Sequence, residues 1–206
     1  MLERIINTLD STIFLWHITE SASELAALLL PYNDLALEGV EPELHKKMLH
    51  NTQFLSTRIL LFRYAGLKFP IIKNQYGEPL SNGVHVSISH SHDYAAIIIS
   101  KTKRVAIDLE KKDERIIRVA HKFIHKVEEF FSEEERTKYY TLIWSAKETL
   151  YKLYTANEVI FKDELRIHPF SYSDKGEIRG EVLKTPQILG VRLFYISFDN
   201  YVLTWC

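Results

Sequence analysis

The chain is poor in cysteine, in net charge and in long apolar runs. Of 206 residues only Cys206 is a cysteine, so no disulfide closes within the chain and no metal site is built from thiolates. A formal net charge of -1 argues against a general nucleic-acid or membrane binder. The N-terminal apolar run Ile13-Phe-Leu-Trp16 is too short to span a bilayer or to act as a signal core. We therefore expect a cytoplasmic protein that starts at Met1, with neither nucleic-acid nor membrane partners.

Composition allows one domain or two small lobes. With 46% hydrophobic and 26% charged residues, the chain can bury a core. It shows no repeat at a fixed period and no low-complexity linker. Both halves follow the order strand, helices, strands, which predicts an α+β fold with two lobes, residues 1-103 and 104-206. A cleft between the lobes is the expected place for a ligand.

The N-terminal half contains clear local signals for strands and helices. Residues 12–18 are typical of a strand, and Ser21-x-x-Glu24 is a capping box that opens a short helix. A longer helical stretch runs from Glu41 to Gly66, with a polar break at residues 50–53. Residues 84–89 and 94–100 then predict an antiparallel hairpin whose polar tip is His90-Ser-His-Asp93.

The residues suited to metal binding or catalysis lie in the C-terminal half. Asp108 and Glu110 are two apart in an apolar run, so alternation along a strand turns both carboxylates to one face. Glu148 and Lys152 are four apart on a predicted helix and share a face there. Three carboxylates and one ammonium suit a hard divalent cation such as Mg²⁺ that holds a phosphate. Short strands are predicted at residues 177–183, 191–198 and 201–205.

The predicted helix around Trp144 leaves these charges outside its apolar stripe. At about 100° per residue, Glu148 and Lys152 point away from that stripe and Trp144 flanks it. The stripe comprises Tyr139, Leu142, Ile143, Ala146, Leu150 and Leu153. Taken alone, the Glu-Lys pair is equally typical of a solvent-exposed helix face, and the Asp-x-Glu pair of a strand end that faces water.

A basic stripe precedes this helix. Between Lys111 and Val127, helical spacing predicts one apolar and one basic face. The apolar face comprises Ile116, Ala120, Phe123, Ile124 and Val127, and the basic face Arg115, Arg118, Lys122 and Lys126. Such a face is either a docking surface for an acidic partner or an ordinary solvated helix face.

Four motifs, taken together in their order along the chain, are far more specific than any one of them alone. They are Ile88-Ser-His-Ser91, Ile107-Asp-Leu-Glu110, Phe123-Ile-His-Lys-Val-Glu128 and Trp144-Ser-Ala-Lys-Glu148 followed by Lys152. Together they resemble the 4′-phosphopantetheinyl transferases, in particular the long two-lobed class that activates surfactin synthetase. The resemblance implies a 4′-phosphopantetheinyl transferase fold of two similar α+β lobes related by a pseudo-twofold, with coenzyme A in the cleft.

The same resemblance implies a reaction and a role for each residue. Asp108, Glu110 and Glu148 resemble the family's Mg²⁺ ligands, Lys152 its phosphate-binding lysine, and Ser89 and His90 its contacts to the 3′-phosphate of coenzyme A. The phosphopantetheine group would pass to a serine of an apo acyl or peptidyl carrier protein, with release of 3′,5′-ADP. Either Glu148, the preferred candidate, or Glu110 would accept the serine proton. Glu128 is expected beside the metal ligands or as a surface helix cap, Lys147 is expected to be structural, and the basic stripe would dock the carrier.

Two departures concern the coenzyme A side of the resemblance. Tyr76-Gly-Glu78-Pro79 has an anion where the family commonly has a lysine. His50, Asn51 and Thr52 provide no counterpart for the family's basic residue before the long N-terminal helix, a role open to Lys46, Lys47 or Arg58. We expect a monomer. Two alternatives stay open: a divalent-metal phosphohydrolase or nuclease, and a non-catalytic homologue that binds a carrier protein or coenzyme A.

Overall fold

Two antiparallel sheets, each with its own helices, organise the chain. The computed structural model describes residues 1–73, 79–80, 83–154, 159–183 and 188–206. The chain divides into two units, Met1–Val105 and Ala106–Cys206. Each unit combines a sheet with helices, so the predicted α+β class is confirmed. The pseudo-twofold relation between two lobes stays a prediction.

The strands of the first unit are β1 (Leu2–Asn7), β2 (Thr12–His17), β3 (Ile72–Lys73), β4 (Pro79–Leu80), β5 (His85–Ser91) and β6 (Tyr94–Ser100). Four of them form a sheet in the order β1-β2-β6-β5, and the short strands β3 and β4 form a separate pair. The helices of this unit are α1 (Ala22–Leu29), α2 (Asn33–Leu37), α3 (Pro42–Met48) and α4 (Thr52–Ile59), the last followed by a π-helical turn at Leu60–Tyr64. Helices α1 and α4 pack on each other, and α4 packs on the sheet.

Local capping explains where these helices begin. The Ser21 side chain accepts a hydrogen bond from the Glu24 backbone N–H at 3.3 Å, and the Glu24 carboxylate accepts one from the Ser21 N–H at 2.8 Å. This is the predicted capping box. Asn51 starts α4 in the same manner, because its side chain accepts from the Phe54 N–H at 2.9 Å. The predicted break in the long helical stretch therefore exists, between α3 and α4.

The predicted hairpin is confirmed, but its tip is shorter than expected. Strand β5 continues through Ser91, and His90 pairs with Ala95 of β6. The turn is made by His92 and Asp93, with His92 in the left-handed region at φ 51°. The prediction that His90 belongs to the tip is wrong, because the polar residues of the motif alternate along the strand: Ser89 is buried and His90 is exposed.

The strands of the second unit are β7 (Ile107–Lys111), β8 (Leu165–Ile167), β9 (Lys175–Val182), β10 (Leu189–Phe198) and β11 (Tyr201–Trp205). They form a five-stranded antiparallel sheet in the order β7-β11-β10-β9-β8. The helices of this unit are α5 (Arg115–Val119), α6 (Arg136–Tyr154) and α7 (Phe161–Glu164). The three predicted C-terminal strands correspond to β9, β10 and β11.

Helix α6 lies against the sheet and contacts β7, β11, β8 and β9. The predicted apolar stripe is buried from Tyr139 to Leu150, and Leu153 is half-buried. Gly180 permits the close approach of β9, because a Cβ atom there would lie 2.8 Å from Leu150 Cδ1 and 2.9 Å from Leu193 Cδ1. Strand β7, at the sheet edge, contacts the helix directly.

The basic stripe is not one helix. Helix α5 ends at Val119 and is followed by two short 3₁₀ turns, Ala120–Lys122 and Lys126–Glu128. Phe123 leaves the helical conformation at φ -132°, and His125 starts the second turn by accepting from the Val127 N–H at 3.4 Å. The continuous helix predicted here is wrong, and Val127, expected on the apolar face, is 54% exposed. The four basic residues themselves are exposed.

The large apolar residues fill two separate cores. In the first unit these include Phe14, Trp16, Leu25, Leu29, Leu55, Ile59 and Ile97. In the second they include Phe123, Leu142, Ile143, Leu150, Ile178, Leu193 and Val202. Over the ranges of the chain given above, none of the helices combines the length and the apolar composition needed to cross a bilayer.

Candidate active site

Strand β7 and helix α6 bring four predicted side chains to one place. Asp108 and Glu110 lie opposite Thr204 and Val202 of β11. The Thr204 hydroxyl lies 2.9 Å from that of Ser145 and 2.6 Å from that of Thr149, both on α6. Because residues opposite each other in a sheet share a face, both acidic side chains of β7 lie on the face that α6 covers. Alternation along the strand therefore places them as predicted.

The Lys152 ammonium reaches back from α6 to the strand. It donates to Asp108 Oδ1 at 2.7 Å and to the Ile107 carbonyl at 3.1 Å. Asp108 is only 3% exposed, so its charge needs this partner. The alternative interpretation, a solvent-exposed pair between Glu148 and Lys152, does not hold, because the Lys152 ammonium is turned towards β7.

Glu110 is held by the indole of Trp144. The Trp144 Nε1–H donates to Glu110 Oε1 at 3.0 Å. The ring centroid of Trp144 lies 4.9 Å from that of Phe123 and 5.3 Å from that of Phe161. The tryptophan of the motif therefore both packs against the core and orients an acidic side chain.

Glu110 and Glu148 share an electrostatic environment with Asp108. Burial raises the pKa of Glu148 to about 7, repulsion from Asp108 adds to this, and Lys152 opposes it. Burial also raises the pKa of Glu110 to about 7, together with repulsion from Asp108 and Glu148, while Trp144 and Lys152 lower it. The Glu148 carboxylate accepts no hydrogen bond from any described residue. The three carboxylates are therefore close enough to influence each other's ionisation.

The donor chemistry of this group fits a hard divalent cation. All three acidic side chains offer oxygen ligands, which Mg²⁺ prefers. Two of them have raised pKa values, first because burial disfavours their charged forms and second because neighbouring carboxylates repel them, and a bound cation favours the charged forms. Over the described part of the chain, however, no three His, Cys, Asp or Glu side chains are drawn together closely enough to hold an ion. The metal assignment therefore stays a prediction.

The predicted coenzyme A contacts belong to the first unit. Ser89 is buried and His90 exposed on β5, and their role towards the 3′-phosphate stays a prediction. Of the motif Tyr76-Gly-Glu78-Pro79, the first three residues lie outside the described ranges, and Pro79 begins β4.

Two sets of polar residues are more deeply buried than their sequence pattern indicates. Glu128 does cap a helical turn, as one prediction had it, but it is fully buried and paired with the fully buried Lys147 at 2.8 Å. The buried hydroxyls of Ser145, Thr149 and Thr204 were not singled out at all. A signal existed for them, because Thr141, Ser145 and Thr149 repeat every four residues along α6 and indicate a polar stripe that faces a neighbouring element.

An acidic cluster with one lysine, between a sheet-edge strand and a long helix in an α+β unit, defines a class of site suited to handling phosphate groups. Residues 104–206, half of the chain, match the model of the 4′-phosphopantetheinyl transferase superfamily. The chain therefore belongs to this superfamily, whose general activity is the transfer of phosphopantetheine, with coenzyme A and a carrier protein as the partners that the family implies. No curated protein matches the sequence.

Proposed function

We propose that the chain transfers 4′-phosphopantetheine from coenzyme A to a serine of an apo acyl or peptidyl carrier protein in a Mg²⁺-dependent reaction that releases 3′,5′-ADP. One observation carries this proposal. The four residues that the family resemblance selects, Asp108, Glu110, Glu148 and Lys152, gather in the half of the chain that matches the superfamily.

In this proposal Asp108, Glu110 and Glu148 hold the metal ion. A bound Mg²⁺ would neutralise negative charge on the phosphates of coenzyme A. Lys152 then becomes available to the departing phosphate, because an ion at Asp108 takes over the balancing of its charge. The Lys152 side chain is 28% exposed, so its ammonium can reach a ligand without leaving the helix face.

Glu148 is the best candidate for the base. The serine oxygen forms a bond to the phosphorus that carries pantetheine, the bond from that phosphorus to 3′,5′-ADP breaks, and Glu148 accepts the serine proton. The Glu148 carboxylate accepts no hydrogen bond from any described residue, which leaves its oxygens open to the serine proton. Glu110 is the second candidate, but its Oε1 already accepts a hydrogen bond from Trp144. Ser89 and His90 complete the proposal as contacts to the 3′-phosphate of coenzyme A.

The basic residues after β7 are proposed to dock the carrier. Arg115 is held by Asp113 at 2.7 Å, whereas Arg118, Lys122 and Lys126 form no ion pair with any described residue. A cavity of about 420 Å³ adjoins this surface and is lined in part by Ile117, which is 41% exposed, and Lys126. Exposed cations beside exposed apolar groups fit an acidic, amphipathic partner surface.

Mass spectrometry of an apo-carrier protein tests the proposed function. With coenzyme A and Mg²⁺, the wild type should add one phosphopantetheine mass increment to the carrier. Asp108→Asn and Glu148→Gln should each reduce the rate by at least about 100-fold, since each removes an ionisable group from the reacting centre. The exposed Glu134 is the matched control, and Glu134→Gln should be fully active.

Three results would contradict the proposal. Carrier binding without modification would identify a non-catalytic homologue. Release of nucleotides from DNA or RNA without turnover of coenzyme A would identify a phosphohydrolase. Undiminished transfer by both site variants would show that the cluster is not the site of chemistry.

A further inference from the structure

The indole of Trp144 lies between two aromatic rings that are themselves anchored. Phe123 packs edge-on against it, with ring planes at 60°, and Phe161 stacks on it at 28°. Phe123 is 1% exposed. A ring held between two others in this way has little freedom to rotate, so the direction in which its N–H points is determined by the positions of Phe123 and Phe161.

One lysine fixes the backbone of both aromatic residues. Lys147 Nζ donates to the carbonyl of Phe123 at 2.6 Å and to the carbonyl of Phe161 at 2.9 Å. Its third hydrogen bond goes to Glu128 at 2.8 Å. All three donors of the ammonium are thus used, and two of them hold the residues that enclose Trp144.

Glu128 connects Lys147 to two further backbone groups. Its Oε2 also accepts from the His125 N–H, and its Oε1 accepts from the Ile167 N–H, each at 2.8 Å. Lys147 and Glu128 are both fully buried. A buried pair whose hydrogen-bonding groups are this fully satisfied favours a single arrangement of its surroundings. Here the surroundings are the slot around Trp144.

We propose that Trp144 is a positioning residue that orients Glu110 towards the metal ion, and that the Lys147–Glu128 pair acts through it by fixing the aromatic slot. The proposal rests on the proposed function, in which Glu110 is a metal ligand. An N–H that engages one oxygen of a ligating carboxylate fixes its orientation, and losing such a partner typically weakens metal binding by about 10- to 100-fold. The contact from Trp144 Nε1 to Glu110 Oε1 has this character.

The test compares two tryptophans that make the same kind of bond. Trp144→Phe removes the N–H and keeps an aromatic ring in the slot. Trp16→Phe is the matched control, because Trp16 Nε1 donates to Glu20 Oε2 at 3.2 Å, and Glu20 is not one of the proposed metal ligands. Mn²⁺ alone serves as the probe, and electron paramagnetic resonance measures the free ion. The Mn²⁺ dissociation constant should rise about 10-fold in Trp144→Phe and stay at the wild-type value in Trp16→Phe.

Kinetics provide a second readout. The Mg²⁺ concentration for half-maximal transfer should rise by a similar factor in Trp144→Phe, while the KM for apo-carrier stays unchanged. Phe161→Leu removes one wall of the slot and keeps the indole, so it should weaken Mn²⁺ binding to a smaller degree. This second variant decides the question if Trp144→Phe does not fold.

The outcomes separate this proposal from the proposed function. Wild-type Mn²⁺ affinity in a folded Trp144→Phe protein overturns the positioning role and leaves the transferase proposal intact. The same holds if both tryptophan variants weaken binding equally. A wild type that binds no Mn²⁺ overturns the metal-dependent function itself, and with it the positioning role.

Discussion

Asp108 combines deep burial with a formal charge. Its neighbours on β7 are apolar, and the Lys152 ammonium at 2.7 Å balances its charge. Removal of one member of such a pair leaves the other charge unbalanced, which costs more than the pair contributes when intact. The two residues are therefore expected to depend on each other for stability as well as for function.

Replacement of Lys152 by methionine should lower the free energy of unfolding by about 2 kcal/mol, less than for a fully buried pair because Lys152 is partly exposed. Adding Asp108→Asn to the same chain should restore most of this loss, since a neutral amide needs no counter-charge. Urea titrations of the wild type, both single variants and the double variant measure the coupling. Losses that simply add would show that the two side chains are independent.

Glu110 and Glu148 should make stability depend on pH. Their pKa values rise to about 7 in the folded chain, above the usual 4.5 for glutamate, so the folded state binds more protons than the unfolded state between these values. The free energy of unfolding should therefore fall as pH rises from about 5 to about 7.5. Melting temperatures in a chelating buffer measure this. The double variant Glu110→Gln/Glu148→Gln should show a smaller fall, and an equal fall in both proteins would contradict the assignment.

Helix α6 is the element on which the site depends. Its apolar stripe packs on the sheet, and the hydroxyls of Ser145 and Thr149 form hydrogen bonds with that of Thr204. The Lys147 side chain is buried on another side of the helix, where it pairs with Glu128. Only Glu148, Lys152 and a few flanking residues of its later turns stay partly accessible. Burial on several sides leaves the helix little freedom to rotate about its axis, so the direction of Glu148 is determined by packing.

Loss of the buried charge at Lys147 should destabilise the protein more than most other substitutions in α6. Lys147→Met should lower the free energy of unfolding by about 3 to 5 kcal/mol, because Glu128 is left charged and buried. Lys138→Met is the matched control on the same helix. Lys138 is 40% exposed and pairs with Glu135, so its loss should cost at most about 1 kcal/mol. Similar melting curves for the two variants would contradict the structural role of Lys147.

At the scale of the whole molecule, the charge is nearly balanced but locally uneven. The formal net charge of -1 offers an acidic carrier no general attraction. Arg118, Lys122 and Lys126 are exposed together after β7, and such a local positive surface accelerates the approach of an acidic partner at low ionic strength.

The double variant Arg118→Glu/Lys122→Glu should raise the KM for apo-carrier about 10-fold at low salt, with little change in kcat or in the KM for coenzyme A. Lys175→Glu/Arg179→Glu is the matched control, because it changes the net charge equally on exposed positions of β9. Alternation with the buried Ile178 turns these two side chains away from α6. Equal effects of both double variants, or unchanged kinetics in both, would contradict the proposal that the basic residues after β7 dock the carrier.

The sequence alone determined those features that depend on neighbours along the chain. The Ser21 capping box, the β5–β6 hairpin and the shared face of Asp108 and Glu110 follow from local hydrogen bonding and from alternation, which need no distant partner. The apolar stripe of α6 follows from helical periodicity in the same way.

Only the tertiary structure decided which partner each charged side chain takes. Lys152 pairs with Asp108, 44 residues away in the chain, and Lys147 is fully buried with Glu128, although both lysines lie on a helix whose spacing equally suits a solvated surface. The basic stripe breaks at Phe123, whose ring packs against Trp144 in the core. The physical reason is common to all three cases: the free energy of a charge or a ring depends on burial and on atoms that only folding brings near.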